Sequence, residues 1–382
     1  MPHALRRVLT IVALLATVTS ARAALTTQNI VSGLTPADLA NAILGSGVSI
    51  SNVSLRGCET GLGTFAGGTG IIGLEAGLVL SSGNIASAVG PNEFTNASTQ
   101  CDAPGDVDLD ALVPESNTQD AAVLEFDFVP TGSTVAFQYV FASEEYNEFV
   151  GSSFNDVFGF FVNGVNLALL PGTNSPVAVN NVNGTTNAVL YVPNRFGDVS
   201  ADVPGQPGPL DTEADGLTQV LSFTAPVTAG QTNHLKLAIA DTSDAIYDSW
   251  IFVGASSLSS TTAGVDIQEK GKTIVLDVDI GETGKGLGFI QGAGFALVPT
   301  ASATLVTGGA ITAPAGLTVV TKKPDKQRKF NKKGRAKLRL KLNPSGKQLL
   351  KAQGEVQALV IVNVTDKGGN SVNFQKLVKF RR

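Results

Sequence analysis

Apolar segments of strand length recur along this 382-residue chain, and each is closed by Gly, Asn, Asp or Pro, the residues of tight turns. AAVLEFDFVP alternates Val123 or Leu124 with Phe126 and Phe128 before Pro130 stops it. STVAFQYVFAS, DVFGFFVNG, NAVLYVP, TQVLSFTAPV, NHLKLAIAD and SWIFVGASSL supply six further candidate strands, while SGVSISNVSLRG alternates imperfectly through Val48, Ile50, Val53 and Leu55. One short helix is expected in TPADLANAILG, with Thr35 as cap, Pro36 in the first turn, and Leu39, Ala42 and Ile43 on one face. Many short strands with 42 Gly and 17 Pro predict an all-β protein, a jelly roll or β-sandwich; Gly lacks the three-residue period of collagen.

The first residues read as an export signal. Arg6 and Arg7 precede an apolar run from Val8 to about Val18, and Ala21-Arg22-Ala23 supplies the small residues that signal peptidase accepts. Residues 1–23 are therefore expected to leave. The apolar run is short for a membrane span, and no later segment is long and apolar enough, so no transmembrane anchor is expected after signal cleavage. In an oxidising compartment, the only two cysteines, Cys58 and Cys101, are expected to form one disulfide. Two Cys and the pair His3 and His234 are too few for a zinc site once His3 leaves with the signal.

Charge divides the chain in two. Residues 24–261 carry 3 Lys and Arg against 24 Asp and Glu, a balance of −21, and residues 262–382 carry 21 against 8, a balance of +13. The reversal falls at ASSLSSTTAG, which reads as a linker, and gives an acidic domain over residues 24–258 and a basic one over residues 259–382. In the basic part, AKLRLKL places Leu338, Leu340 and Leu342 on one face and Lys337, Arg339 and Lys341 on the other. SGKQLLKAQG is expected to be a short helix and the Thr365–Asn370 stretch a turn between two terminal strands. Lys322, Lys323, Lys326, Arg328, Lys329, Lys332, Lys333 and Arg335 concentrate positive charge between strands, as a polyanion-binding loop or simply a solvated one. Anionic wall polymers or surface glycans are the partners such a surface fits; export and the scarcity of stacking aromatics argue against nucleic acid.

Three acidic clusters stand at strand ends in the acidic part. They are GDVDLD (Asp106, Asp108, Asp110), the segment holding Glu144, Glu145, Glu148, Asn155 and Asp156, and IADTSDAIYDSW with Asp241, Asp244 and Asp248. If the strands of a sandwich bring these loops together, Glu144, Glu145, Asn155, Asp156, Asp241, Asp244 and Asp248 form an oxygen-rich set of the kind that binds calcium. The competing reading is that such residues cap turns by accepting backbone N–H bonds. None of the clusters has the offsets of an EF-hand, and the glycine-rich GLGTFAGGTGIIGLEAGLVLSSG lacks the ending of a phosphate loop.

A secreted carbohydrate-active hydrolase on a jelly-roll scaffold is the alternative, with paired carboxylates as acid and base. Glu144 and Glu145 are poor candidates, since neighbours on a strand face opposite ways. His234 would have to serve any Ser-His-Asp triad, and no nucleophile elbow accompanies it. Trp250, the sole Trp, is expected in the core.

FASEEYNEFVGSSFNDVFGFFVNG, DGLTQVL and HLKLAIADTSDAIYDSWIFVGASSL resemble the signature segments of the choice-of-anchor L domain of secreted bacterial proteins, and the resemblance spans roughly Leu25 to Leu258. It implies an exported surface domain without established catalytic activity or agreed active-site residues. The strand and turn pattern of residues 259–382 resembles, less specifically, the Ig-like β-sandwich modules of actinobacterial surface proteins. A secreted or cell-surface protein for non-catalytic binding or adhesion is the expected function, stabilised by calcium if the acidic loops meet.

Overall fold

The computed structural model describes residues 24–94, 96–195, 208–280, 289–297, 328–329, 334–342, 344–365 and 371–382. The expected signal, residues 1–23, lies outside them, as do Lys322, Lys323, Lys326, Lys332 and Lys333 of the basic run.

Nearly all regular structure is β, as the turn-punctuated sequence implies. The chain opens with β1 (Thr26–Asn29), β2 (Val48–Arg56), β3 (Leu62–Ala66), β4 (Ala76–Ser81), β5 (Thr118–Pro130) and β6 (Thr134–Ser143). There follow β7 (Val157–Val162), β8 (Val165–Asn166), β9 (Val177–Ala178), β10 (Tyr191–Pro193) and β11 (Gly216–Thr218). Next come β12 (Leu221–Pro226), β13 (Asn233–Thr242), β14 (Ser249–Gly254) and β15 (Ser259–Thr261). The remainder supplies β16 (Gly264–Lys270), β17 (Thr273–Asp279), β18 (Phe289–Leu297), β19 (Arg328–Lys329), β20 (Arg335–Lys341), β21 (Glu355–Thr365) and β22 (Ser371–Arg381).

Two antiparallel sheets form a sandwich. One runs β1-β3-β4-β14-β6-β11-β10, with β12 and β15 also paired to the long β6; the other runs β2-β5-β13-β7-β8, with β9 on β7. Their facing sides share a core: Phe137, Tyr139 and Phe141 from β6 meet Phe126 and Phe128 from β5, and Phe158 and Phe160 from β7. These rings are at most 1 % exposed, so truncating one to Ala costs about 3–5 kcal/mol. Both sheets are covered on their outer faces too. Phe252 and Trp250 pack under Ile72 and Ile85 on one side, while Leu109 and Val113 cover Val123, Phe161 and Ala238 on the other. Two-sided burial explains why VFGFFV and SWIFVG read as continuous apolar runs instead of alternating.

The expected helix forms as α1 (Pro36–Ile43), with the Thr35 hydroxyl accepting from Asp38 N at 3.3 Å and the Asp38 carboxylate accepting from Thr35 N at 2.8 Å. Its buried face is Leu39, Ala40 and Ile43, so Ala40 takes the place expected of Ala42. The imperfect alternation of β2 also has a cause. Its register against β5 shifts between Ser51 and Ser54, where Asn52 sits at φ 54°, and this bulge lets Val53 and Leu55 face the way Val48 and Ile50 do.

Residues beyond β15 build a three-stranded sheet, β16-β17-β20, and a four-stranded one, β19-β18-β21-β22. Between them Ile274, Leu276, Leu340, Val360, Val362, Phe374 and Phe380 form a separate apolar cluster. The expected helix appears as α3 (Pro344–Gln353), and β21 and β22 pair from Thr365–Ser371 to Glu355–Arg381. Ala336, Leu340 and Leu342 are buried while Lys337, Arg339 and Lys341 are exposed, as the alternation requires. Gln375 joins this region to the sandwich, accepting from Ser222 N at 2.9 Å and donating to Val220 O at 3.0 Å.

Candidate functional site

Antiparallel pairing decides which loops meet. Ser143 at the end of β6 lies opposite Ser249 at the start of β14, and Ala240 near the end of β13 lies opposite Val157 at the start of β7. Four strand ends, two from each sheet, therefore share one rim. Glu144 and Glu145 follow β6, Asp156 precedes β7, Asp241 is at the end of β13 and Asp248 precedes β14. The structure thus brings the second and third acidic clusters together.

All five carboxylates are buried, none more than 1 % exposed. Asp156 Oδ1 accepts from Thr242 N at 3.0 Å and its Oδ2 from the Ser249 hydroxyl at 2.7 Å, while Asp248 accepts from Asn84 N at 3.0 Å and Thr99 N at 2.7 Å. Burial pushes Asp156 and Asp248 each up to about 7 and Glu145 up to about 10. Glu144 and Asp241 are driven well above the ordinary carboxylate range, by burial first and then by the negative charges of Asp215 beside Glu144 and of Asp156 beside Asp241. Asp156 and Asp241 lie close enough for the charge of each to bear on the other. Glu144 Oε1, Glu145 Oε2 and Asp241 Oδ1 are buried without a hydrogen-bond partner.

The other two predicted members sit at the margin. Asn155 Oδ1 accepts from Asn180 N at 2.8 Å, and Asp244 Oδ1 closes a turn by accepting from Ile246 N at 3.2 Å. The GDVDLD cluster does not join the rim. Asp106 caps α2 (Val107–Asp110) by accepting from Asp108 N and Leu109 N, and its carboxylate pairs with Arg56 and Lys236. Turn chemistry and ion pairing account for that cluster, because it covers the outer face of the second sheet.

A segment without any side-chain signature of its own lies over the rim. Glu93 N and Phe94 N donate to Glu213 at 3.2 and 2.8 Å, Ala97 N to Glu144 at 3.3 Å, and Thr99 N to Asp248. Cys101 N and Ala103 N then donate to Asp120 at 2.9 and 2.6 Å. Four carboxylates thereby hold residues 93–94 and 96–103 as a strap, and the expected disulfide, Cys58–Cys101 with Cα atoms 5.7 Å apart, fastens it. Asp120, Glu213, Asp215 and Arg195 are the residues that sequence reasoning missed here. Arg195 is buried and pairs with Asp215 and, at 2.8 Å, with Glu148. A signal existed: residues 24–261 hold three cations, Arg56, Arg195 and Lys236, and each is ion-paired to an acid at least partly buried.

Among the described residues no group of three or more His, Cys, Asp or Glu side chains is gathered as closely as a bound metal ion demands. Nor do Glu144 and Glu145 form an acid and base pair. Glu144 accepts from Ala97 N of the strap and feels the charge of Asp215, whereas Glu145 feels those of Asp156, Asp244 and Glu148. His234 stands at the other end of β13 from Asp241, with Nδ1 3.0 Å from Asp127 and Nε2 3.6 Å from Glu125. Trp250 is wholly buried and donates to Asn84 O at 3.0 Å.

Fold and rim together define an antiparallel β-sandwich whose acid-bearing loops are packed under a disulfide-tied strap. The chain belongs to the choice-of-anchor L domain family, whose model matches residues 26–259, more than half of the chain. Membership points to a secreted or surface protein, and among the described residues no helix is long and apolar enough to cross a membrane. No curated protein matches the chain. Solved structures similar to it include a β-glucuronidase from Ruminococcus gnavus in complex with D-glucaro-d-lactam, at 8 % identity over 78 % of this chain and 39 % of that one, with a TM-score of 0.17. Another crystal structure of Ruminococcus gnavus β-glucuronidase is 9 % identical over 76 % of this chain and 39 % of its own, with a TM-score of 0.18. The chain spans about two fifths of these enzymes, and a likeness of this degree carries no argument about activity.

Proposed function

We propose that this chain is an exported surface module for non-catalytic binding or adhesion, in which residues 24–258 form the choice-of-anchor L domain and residues 259–382 a smaller Ig-like domain, its first strand β15 completing the sheet of the sandwich and the residues beyond it building their own core. The buried carboxylate oxygens at the rim that lack a partner, Glu144 Oε1, Glu145 Oε2 and Asp241 Oδ1, carry the reading. Ionised carboxylates buried without compensation are costly, so these groups either keep protons or share a cation. The donors are all oxygen, the set a hard cation such as calcium prefers. Glu145, Asp156 and Asp241 would hold the ion after releasing their protons and drawing closer than they stand. A bound ion would supply positive charge beneath the strap; the residues' own part is to fix the strap through its backbone N–H groups and so shape the loop end of the sandwich. The hydrolase reading asks for two carboxylates facing one cleft, and Glu144 and Glu145 are buried.

Binding of the purified chain to washed cells of the producing organism, in calcium and then in chelator, tests this reading. Retention that chelator weakens is the expected result. Cells that retain no protein in either condition would overturn it.

A further inference from the structure

The outer face of the sheet β16-β17-β20 has a charge pattern that the surface-binding reading does not use. Register places Asp266, Asp277 and Lys337 in one row across the three strands, Gln268, Val275 and Arg339 in the next, and Lys270, Thr273 and Lys341 in the last. At the acidic end the cations are already engaged: Lys337 meets Asp277 at 2.9 Å and Arg335 meets Asp279 at 2.8 Å. At the other end no acid among the described residues stands on this face. Lys270, Arg339 and Lys341 are exposed and make no ion pair with any described residue. Between them the surface is concave, lined by Gln268, Lys270, Thr273, Val275, Lys337 and Arg339, with Val275 as a floor only 4 % exposed.

We infer that this groove docks a linear phosphate polymer. Cations at every second residue of β20 lie about 7 Å apart, since a strand advances about 3.4 Å per residue. Such a row fits a partner whose charge also repeats along a line better than it fits a single anion. The Arg339 guanidinium is a planar fork that matches phosphate oxygens, and Gln268 and Thr273 add uncharged hydrogen-bonding groups beside it. A second copy's acidic half is the competing occupant, given the balances of −21 and +13 within one chain. The row of cations favours the polymer, because the buried rim acids of the first half present no matching row.

The inference rests on the protein acting as a surface binder, and its test needs neither calcium nor cells. Binding of inorganic polyphosphate to the full chain is measured in chelator over a range of salt, for the native protein and two double variants of equal charge loss. One is Arg339→Ser with Lys341→Ser; the other is Lys347→Ser with Lys351→Ser on α3. The first pair should weaken binding at least tenfold at low salt and lower the salt slope by about one for each cation removed, while the second leaves both nearly unchanged. Equal losses in both pairs, or no binding by the native chain, would overturn the inference. So would salt-sensitive self-association in sedimentation that polyphosphate fails to compete away, which would assign the face to a second copy. Loss of polyphosphate binding with cell retention intact sinks only this inference; the reverse sinks only the surface-binding reading.

Discussion

The Ser249 hydroxyl at the start of β14 donates a 2.7 Å hydrogen bond to Asp156 Oδ2 just before β7, and so ties one sheet of the sandwich to the other at the acidic rim. Neither residue is more than 1 % exposed, so water cannot replace the bond if it is lost. Ser249→Ala should destabilise the protein by about 1–3 kcal/mol in urea denaturation. An unchanged midpoint would mean that Asp156 is held adequately by Thr242 N alone.

Stability without divalent cations should fall as pH rises. Asp156 and Asp248 have an ordinary value of 3.8 and are pushed up to about 7, so between those values the folded chain holds protons that the unfolded chain has released. The unfolded state binds fewer protons there, and unfolding free energy therefore declines from about pH 4 to about pH 7. Glu145, pushed up to about 10, extends the decline above that window. Melting temperatures in chelator across this range check the sign, and calcium should flatten the curve by substituting for the protons. A flat profile in chelator would contradict the raised values.

Asp156→Asn separates cost from use. Removing a buried acid whose charge opposes that of Asp241 should raise the melting temperature in chelator at about pH 8 and abolish any shift caused by calcium. If the variant still responds to calcium as the native chain does, the ion is bound elsewhere.

Replacing Cys58 and Cys101 by Ser opens a loop of sequence separation 43, which in the chain-entropy model costs about 4 kcal/mol. The loss should appear locally as well. Hydrogen exchange at Ala97, Thr99 and Ala103, whose N–H groups are held by Glu144, Asp248 and Asp120, should accelerate before that of β6 or β13. Uniform acceleration throughout the sandwich would show that the strap is not a separate unit.

Arg195→Met leaves the buried Asp215 without its cation and should destabilise by about 3–5 kcal/mol. Arg335→Met, at an exposed pair with Asp279, should cost less than about 1 kcal/mol. Similar costs for the two in urea titrations would show that burial does not set the value of these pairs.

Much of the fold was legible from local pattern. Thr35 and Pro36 marked α1, Pro130 marked the end of β5, and Leu340 in AKLRLKL marked the buried face of β20, because capping, loss of an N–H and two-residue alternation act within a few residues of chain. Two cysteines in an exported chain were enough to infer their pairing. GDVDLD misled: Asp106, Asp108 and Asp110 look like the rim acids in sequence and differ only in where their strand carries them. The strap was invisible, since its residues act through backbone N–H groups and carry no side-chain signature.

Local chemistry written in the chain determined the short strands, the turns between them, the single cross-link and the opposition of an acidic first part to a basic second part. Only the tertiary structure decided that Glu144, Glu145, Asp156, Asp241 and Asp248 share one rim and that Asp106 does not. Which ends of distant strands meet depends on antiparallel register and on which sheet each strand joins, and both are settled by packing between residues far apart in the chain, such as Ser143 and Ser249.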